Sequence, residues 1–330
     1  MKDFLSFLDL DPAELSSLVD QGLHIKNFPD DYKTTLSNRY IGLLFFLPST
    51  RTRLSFERAI EKMGGLSQYY AAQDLQLKNG ESLSDTASVL SQYLDAIVIR
   101  KYDMNTYGQG REDLITFCEN ASVPVINALD CKEHPCQVLA DLITLKERWQ
   151  KSLHKKTVLL TWGYSRRQKS LGVPHSWLLG ASSLGMKLRV AHPKEFDLDP
   201  SYVEKAQDVA RQTGATLEFS NNLDEACEGV DCIYVKNWKS LTMGSEQERQ
   251  YKESIRENWR VDDACFEKAN LDAVYMDCLP SIAGEEATES VRKGQQSIIL
   301  EQAHNRIYAN QSILSRSLGR QASIGIRHAS

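Results

Sequence analysis

The sequence has no Cys-x-x-Cys pair, no Gly-x-Gly-x-x-Gly turn, no lysine in a glycine-rich phosphate loop and no apolar run of membrane-spanning length. Each absence closes a class of function. The seven cysteines, at 118, 131, 136, 227, 232, 265 and 278, are odd in number and irregularly spaced, so neither a disulfide framework nor a zinc site is indicated. Without the glycine fingerprint after a strand, a nucleotide-binding Rossmann protein is disfavoured. No basic cluster interleaved with aromatics occurs, and a formal net charge of −5 leaves no electrostatic footprint for nucleic acid. The opening Met-Lys-Asp-Phe-Leu lacks the apolar core of a signal peptide. The expectation is a reduced, cytoplasmic enzyme or binding protein, with no membrane and no nucleic-acid partner. At 330 residues, 42% of them hydrophobic and 25% charged, the chain is long enough for two domains with a core each.

Residues 45–53, Phe-Phe-Leu-Pro-Ser-Thr-Arg-Thr-Arg, carry the densest chemistry. An apolar strand-like run at 41–47 stops at Pro48. Beyond it Phe56, Ala59, Ile60 and Met63 recur at helical spacing, and Gly64-Gly65 ends the pattern. A helix start offers unpaired N–H groups and the positive end of the helix dipole, which suits a phosphate. Ser49, Thr50 and Thr52 add hydroxyl donors, and Arg51 and Arg53 can fork onto oxyanions. Two hydroxyl–arginine repeats straight after a buried-type strand favour an anion cradle over a plain helix cap with solvated arginines.

Short apolar runs and helical patterns alternate through the rest of the chain. Strands are expected at 96–99 and 124–127, then at 157–162, 188–192, 217–220, 232–235, 273–276 and 297–300; residues 71–82 read as a loop. Helices are expected at 84–93, from His134 to about Trp149, and at 202–213 with Gly214 as C-cap. This pattern predicts an α/β protein of two doubly wound, parallel-sheet domains with a cleft between them. Ligands of such sheets bind past the carboxyl ends of strands, and Arg51, Arg100, His134 and Asp277 all stand there. Arg100 is either a solvated strand end or a second cation for the phosphate. His134-Pro135-Cys136-Gln137 places an imidazole and an amide one turn apart at a helix start, fit for an oxyanion and an NH2 group. A Cys-His hydrolase built on Cys136 or Cys278 has poor nucleophile–base geometry within one short segment. In Asp277-Cys278-Leu279-Pro280 the proline predicts an extended backbone presenting carbonyls. His304-Asn305-Arg306 adds another arginine.

Taken in order, Ser-Thr-Arg-Thr-Arg at 49–53, Asp-Ala-Ile-Val-Ile-Arg at 95–100, His-Pro-Cys-Gln at 134–137, Cys-Leu-Pro at 278–280 and Asn305-Arg306 resemble the aspartate/ornithine carbamoyltransferase family. Gly-Glu-Ser-Leu-Ser-Asp-Thr at 80–86 is similar to that family's mobile loop. The resemblance implies transfer of a carbamoyl group from carbamoyl phosphate to an amino-acid amine, without metal or organic cofactor, in a homotrimer with sites at subunit interfaces. It implies a carbamoyl phosphate-binding domain at 1–137, an acceptor domain at 138–304, and a C-terminal helix from about 305–330 packing back on the first. Ser49, Thr50, Arg51, Thr52, Arg100, His134, Gln137, Cys278, Leu279 and Arg306 would bind the donor. Of these Thr52, Arg100 and His134 would face the oxyanion, and Gln137 with the backbone at Cys278 and Leu279 would hold the NH2.

The acceptor is read at Lys236-Asn237-Trp238. Ornithine-specific members carry an acid where Lys236 stands, and an ammonium cannot pair the α-ammonium of ornithine. Lys-Asn-Trp, His-Pro-Cys-Gln and the segments 161–164 and 172–176 resemble the N-acylornithine branch, whose long loop is threaded into a trefoil knot. Lys236, Asn237, Trp238, Asp130 and Asp277 are the acceptor-side candidates, with Lys78 and Asn79 reaching a neighbouring subunit's site. Asp277 replaces the usual histidine before Cys-Leu-Pro, and Ser281-Ile282-Ala283 lacks the arginines of that branch. N-acylated ornithine is therefore the expected acceptor. Ornithine or another diamine, and a catalytically silent anion-binding paralogue, are the alternatives.

Overall fold

The computed structural model describes residues 3–319, and two parallel sheets organise it. The first comprises β1 (Tyr40–Phe45), β2 (Leu66–Ala71), β3 (Ala96–Arg100) and β4 (Val125–Leu129), ordered β2-β1-β3-β4. The second comprises β5 (Thr157–Trp162), β6 (Lys187–Ala191), β7 (Thr216–Ser220), β8 (Cys232–Lys236) and β9 (Val274–Met276), ordered β7-β6-β5-β8-β9. Strands β3, β4 and β8 are buried along their whole length, as strands covered on both faces must be. Strand β2 falls in a stretch that carries no strand signal: it is an edge strand, Leu-Ser-Gln-Tyr-Tyr-Ala, with Leu66 exposed. The strand expected at 297–300 does not form. Ser297 makes one bridge to Tyr275, and from Ile299 the chain is helical.

Helices cover the sheets. α1 (Pro12–Asn27) starts with a capping box between Asp11 and Glu14 and Pro12 in its first turn. α2 (Thr50–Lys62) begins earlier than its apolar residues suggest, because Ser49 caps it, and it ends ahead of Gly64 at φ +79°. α3 (Leu83–Leu90) and α4 (Gln109–Asn120) pack on the outer face of the first sheet, around Leu44, Ile97, Ile99 and Phe117. α5 (Pro135–Trp149) joins the two sheets, and α6 (Gly172–Ser183) and α7 (Pro200–Thr213) follow. Four further helices, α8 (Leu223–Ala226), α9 (Ser245–Ile255), α10 (Asp263–Lys268) and α11 (Glu289–Lys293), complete the second half.

The last described helix, α12 (Ile299–Leu318), starts beside the second sheet and packs against α5, α1 and α2. It therefore returns to the first half of the chain and begins before 305; residues 320–330 of the expected helix lie outside the described residues. One continuous apolar cluster runs through both halves by way of α1, α5, α6 and α12. Among the described residues no helix is long and apolar enough to cross a membrane.

Gly172 opens α6 against the turn that leads into α5. The His134 amide donates to the Gly172 carbonyl at 3.0 Å, and a Cβ at 172 would stand 2.9 Å from the Glu133 carbonyl carbon. Gly172→Val should force that backbone apart and cost about 1–3 kcal/mol, as overpacking typically does. Urea unfolding against wild type would measure it; an unchanged midpoint would show that the turn yields freely.

Candidate active site

The carboxyl ends of both sheets face a cavity of about 530 Å³. It gathers side chains that stand far apart in sequence: Arg51 and Thr52 at the start of α2, Arg100 ending β3, His134 and Gln137 at the start of α5, Lys236 ending β8, the 278–280 turn, and Arg306 from α12. Ser49, as N-cap, accepts from the Thr52 amide at 3.3 Å, and its hydroxyl donates to Thr52 Oγ1 at 3.0 Å. Arg306 Nη2 also donates to Thr52 Oγ1, at 2.9 Å. With both lone pairs of Thr52 Oγ1 occupied, its own proton is left to donate. Thr50 lines the same cavity and is exposed. Arg53 turns away: it pairs with Glu57 at 2.8 Å and lies over the Tyr69 ring at 4.0 Å.

Three guanidinium groups meet here without a carboxylate. Arg51 and Arg100 have no ion pair among the described residues, and their buried Nε atoms, like that of Arg306, lack any partner. Burial lowers the Arg100 pKa from its ordinary value, a shift that Tyr102 opposes and the charge of Arg51 reinforces. Arg306 falls to about 10, through burial and the neighbouring Arg100 and Arg51, against the opposing influence of Cys136. His134 is lowered well below 6.5 by burial and then by Arg306 and Arg100, so its imidazole is neutral at pH 7. Unspent donors around a cavity of this sign suit a doubly charged anion.

Next to the cations lies a polar corner. Gln137 Oε1 accepts from Arg306 Nη1 at 2.9 Å, while its Nε2 donates to Asp141 at 2.8 Å. The backbone across from it is not extended throughout, as the proline alone suggests. Leu279 has φ +50°, a left-handed conformation that strains a leucine, and the Leu279–Pro280 peptide is cis. Asp277 closes this turn by accepting from the Leu279 amide at 2.8 Å. Cys278 is half-buried and lines the cavity. Burial pushes the Cys136 thiol up to about 12, and it donates to the Asn127 carbonyl at 2.9 Å, so it is no nucleophile.

The remaining wall is basic as well. Lys236 is only 8% exposed and has no hydrogen bond or ion pair among the described residues. Burial, followed by Lys169, lowers its pKa against the opposing influence of Cys278. Arg167, Gln168, Lys169 and Ser170 come from a loop held on both sides. The Lys239 amide donates to Lys169 O at 3.0 Å, Lys169 Nζ donates to Pro280 O at 2.8 Å and pairs with Glu286, and Ser165 donates to Glu285 at 2.8 Å. A loop has no periodicity, which hid these residues in the sequence, as it hid Tyr102 beside Arg100.

Several acceptor-side candidates stand away from this cavity. Asn237 and Trp238 are fully buried and off the cavity wall, their side-chain N–H groups donating to Gly163 O at 2.9 Å and Phe196 O at 2.8 Å respectively, while Asn237 Oδ1 has no partner among the described residues. Asp130 does not line the cavity, because its carboxylate is consumed by Arg111, Asn127 and the amides of Lys132 and Glu133. Asp277 is buried behind the turn it closes, beside Gln302 and Arg306, rather than on the open wall. Lys78 and Asn79 are exposed on a helical turn (Gln76–Asn79), bonded only to Gln73 O and Gln76, outside this chain's own cavity.

Comparison with known proteins covers most of the chain. Residues 2–147 match the model of the aspartate/ornithine carbamoyltransferase carbamoyl-P binding domain, and residues 169–316 match that of the Asp/Orn binding domain. The ornithine carbamoyltransferase of Oceanobacillus iheyensis is 37% identical over 316 residues, 95% of this chain and 93% of that protein. The catabolic ornithine carbamoyltransferase of Thermoplasma acidophilum is 35% identical, over 96% and 98%. The solved ornithine carbamoyltransferase from Pyrococcus furiosus superposes with a TM-score of 0.85 at 32% identity, over 96% of this chain and 97% of that one. An acetylornithine transcarbamylase complexed with acetylcitrulline superposes with a TM-score of 0.89 at 29% identity, over 97% and 100%.

The turn that delivers His134 hangs on one buried ion cluster. Arg111 pairs with Asp130 and, at 3.3 Å, with Glu133, which also accepts from Ser6 and from the Tyr202 hydroxyl at 3.1 Å. Despite burial, Asp130 and Glu133 hold the Arg111 pKa above its ordinary value. Arg111→Ala would orphan two buried carboxylates and should cost about 3–5 kcal/mol. Thermal or urea denaturation would show a loss below 1 kcal/mol if water simply replaces the guanidinium.

Proposed function

Because this chain belongs to the aspartate/ornithine carbamoyltransferase family, we propose that it moves the carbamoyl group of carbamoyl phosphate to the side-chain amine of an N-acylated ornithine. Both family models show the carbamoyltransferase reaction type, and the relatives named for ornithine and acetylornithine support an ornithine-type acceptor. The proposal concerns the residues and the acyl group. One observation supports it above the rest: six cations, Arg51, Arg100, Arg167, Lys169, Lys236 and Arg306, line the cavity, and no carboxylate does. A free α-ammonium would find no counter-charge there. An acceptor with that amine acylated keeps its α-carboxylate, which Lys236 can pair.

In this reading the start of α2, Arg51 and Arg100 hold the phosphate, and Arg306 braces Thr52 and Gln137. The acceptor nitrogen attacks the carbonyl carbon, and the negative oxygen that forms is met by Thr52, Arg100 and the neutral imidazole of His134. Preorganised donors of this kind contribute about 3 kcal/mol each. Collapse breaks the bond between carbon and the phosphate oxygen, and the departing phosphate takes the proton that the amine loses. Gln137 Oε1 and the backbone of Cys278 and Leu279 hold the NH2. Lys78 and Asn79, exposed on their turn, are proposed to enter the neighbouring site of a homotrimer.

Arg51→Ala or Arg100→Ala should weaken inorganic phosphate binding by about a hundredfold, close to 3 kcal/mol. Calorimetry that finds wild-type affinity in both would remove the donor site. For the acceptor, Lys236→Asp should raise the kcat/KM ratio of ornithine over N-acetylornithine by at least tenfold. An unchanged ratio across ornithine, N-acetylornithine, N-succinylornithine and putrescine would mean that Lys236 does not read the α-substituents.

A further inference from the structure

Asp141 and Gln302 lie behind the cavity, both buried, and neither lines it. Asp141 stands one turn along α5 from Gln137. Its Oδ1 accepts from Gln137 Nε2 at 2.8 Å and from Gln302 Nε2 at 2.7 Å. Gln302 Nε2 also lies 3.3 Å from the Tyr234 hydroxyl, and Gln302 Oε1 accepts from the Asp277 amide at 3.1 Å. Asp277 in turn accepts from the Leu279 amide.

The consequence follows from the symmetry of an amide. The oxygen and nitrogen of a glutamine exchange places on a half-turn of the last torsion, and only the partners decide which faces where. An ionised carboxylate accepts and cannot donate, so Asp141 admits the nitrogen of Gln137 and turns Oε1 the other way, towards Arg306 and the cavity. The same choice at Gln302 points its oxygen at the Asp277 amide and so fixes the 277–279 turn. One carboxylate thereby sets both surfaces that face the donor's nitrogen.

Resting on the donor site proposed above, we propose that Asp141 and Gln302 are positioning residues through which the cavity selects a donor carrying NH2 over one carrying a methyl group in its place. Burial pushes the Asp141 carboxyl up to about 6, against the opposing hydrogen bonds of Gln137, Gln302 and Tyr234 and the charge of Arg306, so at neutral pH it is ionised and acceptor-only. Neither residue reaches the phosphate side, where Ser49, Thr52, Arg51 and Arg100 stand. Selection for NH2 and affinity for phosphate are thus separable, which a general loosening of the fold would not allow.

The test is calorimetry at neutral pH with three probes: inorganic phosphate, phosphonoacetamide, and phosphonoacetone, whose methyl replaces the NH2. Wild type should bind phosphonoacetamide at least tenfold more tightly than phosphonoacetone. Asp141→Ala and Gln302→Leu should each lose about tenfold of that preference, the worth of one buried hydrogen bond, with phosphate affinity unchanged. Asp141→Asn, whose amide can also donate and so no longer dictates which way either glutamine turns, should lose most of it as well. Preference surviving in both Asp141→Ala and Gln302→Leu, or phosphate affinity falling in step with it, overturns the positioning role and leaves the donor site standing. Wild type that binds neither phosphate nor phosphonoacetamide overturns the donor site, and this proposal with it. Should Asp141→Ala fail to fold, Gln302→Leu beside Asp141→Asn decides the same question.

Discussion

The repulsion among Arg51, Arg100 and Arg306 governs the rest of this molecule. Like charges brought together near a protein surface cost about 1–4 kcal/mol per contact pair, and burial raises that figure. No carboxylate lines the cavity to offset it. The fold must hold the three against their mutual repulsion, and it does so by drawing each from a different rigid element: a helix start, a strand end and the middle of a long helix. A dianion bound there would offset this repulsion, and the proposed affinity for phosphate would be supplied largely by the folding of the two sheets around α5 and α12.

A second arrangement sits on top of the first. The proposed donor side is built from backbone-anchored groups past the ends of β1, β3 and β4, while the proposed acceptor side combines the end of β8 with a loop. Carboxylates are present near that loop, but Glu285, Glu286 and Glu248 are turned towards Ser165, Lys169 and Lys252 behind it. The acids tie down the wall, and the cations Lys236 and Arg167 remain on its face. This division gives the cavity a single sign of charge even though the chain as a whole is acidic.

What the sequence disclosed follows from burial. Strands covered on both faces, such as β3, β5 and β8, write themselves as unbroken apolar runs, and groups placed just beyond them can be read off in order. Strand β2 has a polar edge and carries no such mark. At 297–300 an apolar run means helix, since it opens α12 rather than closing a sheet. The position of the acceptor-side candidates away from the cavity has one cause as well. Lys236 ends a strand with its side chain in the cavity, so Asn237 and Trp238, next along the chain, find their partners in backbone elsewhere; adjacency in sequence is not adjacency in space. Asp130 is near His134 in sequence but serves the turn. Arg167 and Lys169 left no trace, whereas Asp141 left one: it is the lone acid in the apolar stretch 138–145, four residues after Gln137.

Helix α12 also gives the molecule an order of assembly. Arg306, which braces Thr52 and Gln137, is contributed by a segment translated only after both sheets. A nascent chain carrying the first sheet alone would hold Thr52 and Gln137 without their shared clasp and would leave α1, α2 and α5 uncovered along one flank. Ribosomal products cut short before this helix would therefore lack the clasp that joins the phosphate corner to the amide corner.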